Sequence, residues 1–184
     1  MDNLSDNALM LKVKAGSIDQ LGLLYERHKQ RLFGFFYQMN HNGALSEDLV
    51  QNVFMRILKY KHTYTSESKF MTWMYHIARN VSYDDFKKHK SNRHSIELSK
   101  VDNRLNADDD IQKEIISKEN SATLKTALDK LSFDKREVLV LSKLKTLKYR
   151  EVGEIIGCSE GAARTKVHRA LNDLKDIFFE LENR

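Results

Sequence analysis

Not one proline interrupts the 184 residues of this chain, and glycine occurs only seven times. An interior proline removes a helix hydrogen bond and clashes with the preceding turn, so a chain without it can run long helices unbroken. Apolar residues recur every third or fourth position, and the alternating β-branched runs that mark strands are missing. The sequence predicts an all-α fold.

The chain is long enough for one sizeable domain or two small ones, and its 41% hydrophobic content is enough to fill cores. Charge is unbalanced, with 31 Lys and Arg against 26 Asp and Glu, a net charge of +5 and a pI near 9.2. Such a balance favours polyanionic partners, meaning nucleic acid or an anionic membrane surface. The single cysteine, Cys158, rules out an internal disulfide and a cysteine-based zinc cluster. No stretch is apolar enough to span a bilayer, and Met1-Asp2-Asn3-Leu4 has neither the basic start nor the apolar run of a signal peptide. A cytoplasmic protein with no membrane insertion, no metal and no cofactor is expected.

Helical spacing divides the chain into two helical domains and a tether. A first helix is predicted over about 5–15, capped by Ser5 and stopped by Gly16, and a longer one is predicted to start from a Ser17 cap. His41-Asn42-Gly43 reads as a turn. Ser46 is then expected to cap a helix reaching about Lys59, with Glu47 and Asp48 in its first turn offsetting the helix dipole. A polar loop over 61–69 leads to a fourth helix over about 70–88. The pattern dissolves between about 89 and 118, which includes Asp108-Asp109-Asp110. Domains are therefore set at 1–90 and 119–184, with a flexible linker over 91–118. That tether has few apolar residues with which to dock the domains, so they are expected to move independently. Helical segments are predicted near 111–131, 134–144, 148–156 and 160–181.

The most specific local signal is Tyr149-Arg150-Glu151-Val152-Gly153-Glu154-Ile155-Ile156-Gly157-Cys158-Ser159. Two helices that cross at a tight turn need a small residue where their backbones meet, and Gly153 supplies it. The turn itself needs a residue tolerant of positive φ, and Gly157 stands four positions later. Cys158 can plug the turn and Ser159 can cap the second helix. This is the pattern of a DNA-binding helix-turn-helix. On the second helix Ala163, Val167, Ala170, Leu171 and Leu174 share an inward face. Thr165, His168 and Arg169 point the other way, flanked by Arg164 and Lys166, a face suited to phosphates and base edges in a major groove. Charge alone would fit an ordinary solvated face; the two glycines favour DNA.

In the first half, one helix turns Leu49, Val53, Ile57 and Leu58 inward and presents Asp48, Gln51, Asn52, Met55 and Lys59 outward, a mixture compatible with a protein interface. Beyond it Tyr60-Lys61-His62-Thr63-Tyr64 and Lys69 mix aromatics with cations, which is what unpaired bases require. On the next helix Thr72, His76, Arg79 and Tyr83 lie outward, with Trp73 and Asn80 at the edges. The plainer reading places these aromatics in the core.

No catalytic constellation emerges. Glu47 and Asp48 are adjacent, so on a helix they diverge by about 100° and cannot oppose each other across a substrate. The seven histidines are dispersed, with no His-Glu-x-x-His and no phosphate-cradling glycine loop.

Three segments in order resemble a known family. Glu47-Asp48-Leu49-Val50-Gln51-Asn52-Val53-Phe54 resembles the polymerase-binding helix of region 2 in extracytoplasmic-function sigma factors of the sigma-70 family. Phe70-Met71-Thr72-Trp73-Met74-Tyr75-His76-Ile77-Ala78-Arg79-Asn80 is similar to that family's promoter-melting helix, and Gly161-Ala162-Ala163-Arg164-Thr165-Lys166-Val167-His168-Arg169-Ala170 to its region 4 recognition helix. Ala162-Ala163 stand where the family usually has Thr-Val, and Gly153 where Ala is common.

The resemblance implies a non-enzymatic factor that binds core RNA polymerase, directs it to promoters and assists melting. By the same resemblance Asp48, Gln51, Asn52 and Met55 face the β′ coiled coil. The loop bearing Lys61, His62, Tyr64 and Lys69 takes up a flipped base of the −10 element, with Trp73, His76, Arg79 and Asn80 on the DNA nearby. Arg164, Thr165, Lys166, His168 and Arg169 read the −35 element, and other parts of that domain meet the β flap. An anti-sigma protein is a further implied partner. The alternatives are a stand-alone helix-turn-helix regulator of duplex DNA and a protein–protein adaptor.

Overall fold

The computed structural model describes residues 4–92, 122–144 and 147–183, and every regular element among them is helical. Most of the predicted linker, and residues 111–121 of the helical segment predicted near 111–131, lie outside the described residues.

Helix α1 (Asp6–Lys14) is capped by Ser5, whose hydroxyl accepts from the Ala8 N–H at 3.3 Å. It ends at Gly16, whose φ of 112° only glycine adopts without strain. Ser17 does not cap the next helix. Residues 17–19 form a turn, and α2 (Gln20–Asn40) starts after Asp19 with no side-chain cap. His41 closes α2 in the left-handed region at φ 54°.

Helix α3 (Gly43–Tyr60) starts four residues earlier than the sequence implied. Asn42 is the cap, its side chain accepting from the Leu45 N–H at 3.1 Å. Ser46 is instead buried inside the helix, donating to the Asn42 carbonyl at 2.7 Å and to Asn40 Oδ1 at 3.2 Å. Glu47 and Asp48 accordingly sit beyond the first turn, where the dipole no longer accounts for them. Asn and Ser are comparable caps, and the buried site between α2 and α3 claimed the serine.

A 3₁₀ turn (Lys61–Thr63) and an extended loop lead to α4 (Phe70–Asn92). In the second half, α5 spans 122–130 and α6 is Phe133–Leu139. One turn of π-helix (Val140–Leu144) follows, then α7 (Tyr149–Ile156) and α8 (Glu160–Glu182).

Phe35, Phe36, Leu32, Val53, Ile57, Met74 and Tyr75 build the core of α1–α4, all essentially inaccessible. Phe35 packs edge-on against both Phe36 and Tyr75. Burial each of such side chains is worth about 1.5–3 kcal/mol. A second cluster joins Leu128, Leu131, Val138 and Leu139 to Val167 and Ala170 of α8.

The halves are not independent. Val140, Leu141, Val152, Ile155 and Ala163 belong to the same apolar cluster as the α1–α4 core, and α7 packs on α4. The Phe133 ring lies tilted against Phe86 with centroids 4.7 Å apart, Arg136 donates to the Met39 carbonyl at 2.8 Å, and His41 lies 3.2 Å from Asp129. The expectation of separate motion looked for docking residues in the tether. The helices themselves carry them.

Candidate nucleic-acid interface

The turn between α7 and α8 has the geometry its glycines predict. Gly157 takes φ 76° and ψ 41° to end α7, and the Cys158 N–H reaches back to the Gly153 carbonyl at 2.9 Å. A Cβ on Gly153 would lie 2.6 Å from the Cys158 carbonyl oxygen, closer than real side chains approach. Ser159 caps α8, accepting from the Ala162 N–H at 3.3 Å. The chain therefore turns sharply and presents the first turns of α8 to solvent.

Ala163, Val167 and Ala170 are buried, while Arg164, Thr165, Lys166, His168 and Arg169 are all exposed. Thr165 donates to the Gly161 carbonyl at 3.0 Å, which uses its proton and leaves its lone pairs outward. The Arg164 guanidinium rests over the Tyr149 ring at 5.4 Å and 4.0 Å from Glu160. Lys166, His168 and Arg169 have no hydrogen-bond or ion-pair partner among the described residues. Cationic side chains held outward on a capped helix start are chemically matched to phosphate and to guanine edges.

On α3 the four residues Asp48, Gln51, Asn52 and Met55 share one exposed stripe, and Met55 is 69% accessible. Asn52 accepts from Arg56 Nε at 3.0 Å, and Arg56 pairs with Asp84 of α4 at 2.8 Å, so the stripe sits on a braced helix. A cleft lined by Tyr25, Lys29, Phe33, Glu47 and Gln51 borders it. Mixed polar surface around one adaptable thioether suits a protein partner.

The loop over 61–69 divides its residues. His62 and Lys69 are exposed and Lys61 is half-buried. Tyr64 is not available for stacking: its ring is fully buried, edge-on to Trp73 at 5.2 Å and near Phe70 at 6.4 Å. Its hydroxyl donates to the Ser68 carbonyl at 3.0 Å across the loop. Burial, helped by the Asp6 carboxylate, pushes this phenol above its ordinary pKa, so it stays neutral. Trp73 is half-buried against the core, as the plainer reading anticipated, while His76 and Asn80 are exposed on α4.

Two candidate DNA cations already have partners in the second half. Arg79 Nε lies 3.0 Å from Glu137, and Lys69 Nζ lies 3.1 Å from Glu151. Burial pushes the Glu137 carboxyl up, with Arg79 opposing but not cancelling the shift, and its second oxygen is buried without a hydrogen-bond partner. A carboxyl raised in this way binds its proton more tightly in the folded chain. Its contribution to stability is therefore best at low pH and declines as pH climbs from the unfolded pKa through the folded one. At Glu151 burial also pulls upward, but the Lys148 N–H and the Lys69 ammonium outweigh it and hold the carboxyl below the ordinary value.

Sequence reasoning passed over Asn7 and Lys14 of α1. Asn7 Oδ1 accepts from the Phe70 N–H at 2.8 Å, and Lys14 Nζ donates to the Tyr64 carbonyl at 2.6 Å. These contacts span 63 and 50 residues, and no local pattern signals them. No three His, Cys, Asp or Glu side chains gather as a metal site among the described residues. Nor is any described helix long and apolar enough to cross a membrane.

Comparison with known proteins identifies the family. The family model described as Sigma-70 region 2 matches residues 24–92, and that for Sigma-70, region 4 matches 121–174. The chain is 32% identical over 178 residues to RNA polymerase sigma factor CarQ of Myxococcus xanthus, covering 94% of this chain and 97% of CarQ. It is 30% identical to the ECF RNA polymerase sigma factor SigX of Bacillus subtilis, covering 83% and 80% of the two chains. Among solved structures, sigma factor RpoE in complex with the anti-sigma factor NepR from Bartonella quintana superimposes with a TM-score of 0.65. That pair is 24% identical, over 85% of this chain and 94% of the other, and shares the fold. The region 2 match accounts for the first half, which a stand-alone duplex-binding regulator would not need. The chain belongs to the extracytoplasmic-function sigma factors of the sigma-70 family, non-enzymatic proteins that direct RNA polymerase to promoters.

Proposed function

We propose how the work is divided within this sigma factor. Residues 1–90 act as the region 2 unit and 119–184 as region 4, joined by 91–118. The stripe of Asp48, Gln51, Asn52 and Met55 seats on the β′ coiled coil of core polymerase. Lys61, His62 and Lys69 guide a flipped −10 base into the loop. Trp73, His76, Arg79 and Asn80 hold the strand beside it, and Tyr64 shapes the loop from beneath. Arg164, Thr165, Lys166, His168 and Arg169 read the −35 element, while other parts of region 4 meet the β flap. The carrying observation is that all five α8 residues stand in solvent while Ala163, Val167 and Ala170 anchor the opposite face. The protein works in the cytoplasm, and an anti-sigma partner of the kind bound to RpoE regulates it.

Transcription in vitro with core polymerase on fragmented genomic DNA, followed by start-site mapping, tests the whole reading. Arg169→Ala is expected to weaken promoter recognition by about 1–3 kcal/mol if it reads a base, and by less if it meets only phosphate. Unchanged output from every responsive promoter would count against the α8 assignment. Asp48→Lys reverses an exposed charge and is expected to weaken core binding at least about tenfold, about 1.4 kcal/mol, with helical content intact. Normal capture of core enzyme by that variant would remove the α3 interface.

A further inference from the structure

Helix α1 lies ahead of residues 24–92, the part matched by the region 2 family model, and its polar side chains make two unusual contacts. The first four N–H groups of a helix have no intrahelical acceptor and need one from elsewhere. At the start of α4 the preceding residue is Lys69, whose ammonium can only donate. The acceptor comes from α1: Asn7 Oδ1 takes the Phe70 N–H at 2.8 Å. At the other end of the loop, Lys14 Nζ donates to the Tyr64 carbonyl at 2.6 Å, a charge-assisted bond. Between these two points Thr65, Ser66, Glu67, Ser68 and Lys69 are all exposed. The Tyr64 hydroxyl on the Ser68 carbonyl braces the span from inside.

Helix α1 is itself fixed. Leu9, Met10 and Val13 are buried, and Asp6 holds Arg27 at 2.8 Å and His28 at 2.7 Å on α2. The exposed loop is therefore clamped at both ends by side chains of a rigid neighbour, in addition to its internal Tyr64–Ser68 bond.

We infer that Asn7 and Lys14 are positioning residues for promoter melting, acting by fixing both ends of the loop over 65–69 so that it presents one shape to a base leaving the stack. This rests on the proposal that the loop receives a −10 base. Binding a flexible loop costs ordering free energy for every base it meets, whereas a preset loop discriminates among bases. Loss of the clamp should therefore lower selectivity more than overall activity.

The test uses the full-length chain with core polymerase on one responsive promoter and its single-base −10 variants. Asn7→Ala and Lys14→Met are expected to reduce the ratio of output from the native to the substituted −10 promoters about tenfold, about 1.4 kcal/mol. Asn7→Asp keeps the acceptor and Lys14→Arg keeps the donor, so both should restore the ratio. A merely structural loss would scale all promoters down together, leave the ratio unchanged, and overturn the inference. Ser66→Ala/Glu67→Ala in the loop is the control for the underlying reading. If that pair alters selectivity while the clamp variants do not, only the positioning role fails; if neither does, the loop does not read a base.

Discussion

Tyr64→Ala is expected to lower stability by about 3–5 kcal/mol, the range for removing a large buried ring. The ring is wholly enclosed beside Phe70 and Trp73, so its loss opens a cavity at the point where the loop meets α4. Denaturant unfolding measures the loss as a lowered midpoint at constant slope. Promoter melting should fall with it, because the loop loses its floor. Tyr64→Phe removes only the hydroxyl bond to the Ser68 carbonyl, and should cost about 1 kcal/mol while leaving melting largely intact. A ring that stacked directly on DNA would behave differently: alanine would abolish melting and spare stability.

Gly153→Val is expected to cost about 3 kcal/mol or more and to abolish −35 recognition. The first added carbon alone would stand 2.6 Å from the Cys158 carbonyl oxygen and 3.3 Å from the Ser159 backbone. Overpacking in a well-filled site usually costs about 1–3 kcal/mol, and here the neighbour is main chain, which cannot rotate away. Only a wider α7–α8 crossing would relieve it, and that turns the cationic face away from the groove proposed for it. Gly157→Ala is the milder companion. The space around it is open, but φ 76° remains strained for any residue with a side chain, at about 1–2 kcal/mol. Thermal unfolding together with output from −35-dependent promoters checks both. A Gly153→Val chain with wild-type stability would mean the crossing is looser than its geometry shows.

The helix-turn-helix was legible because its determinants are local. Gly153, Gly157 and Ser159 act within a few residues of one another, and the helical period of Ala163, Val167 and Ala170 fixes the rest. The α3 stripe was legible for the same reason. The start of α3 was not, since Asn42 and Ser46 are both good caps and only tertiary burial of the Ser46 hydroxyl separates them. Tyr64 misled for a related reason: an aromatic among lysines reads as a surface platform, and what buries it arrives from α1 and α4. Asn7, Lys14 and the pairing of Arg79 with Glu137 carry no sequence signature at all. Each joins residues more than forty positions apart, and long-range partners are set by how helices stack rather than by spacing.

A guanidinium gripped by a carboxylate is unavailable to a phosphate. Arg79 faces Glu137 and Lys69 faces Glu151, so acidic residues of the back half cover two of the cations proposed to meet the −10 strand. If these two side chains engage the promoter as proposed, the halves must part there, and raised ionic strength, which loosens exposed pairs such as Lys69–Glu151, would also weaken the grip on DNA. On that proposal, Glu137 and Glu151 occupy in the free chain the place of the phosphates that the two cations would hold.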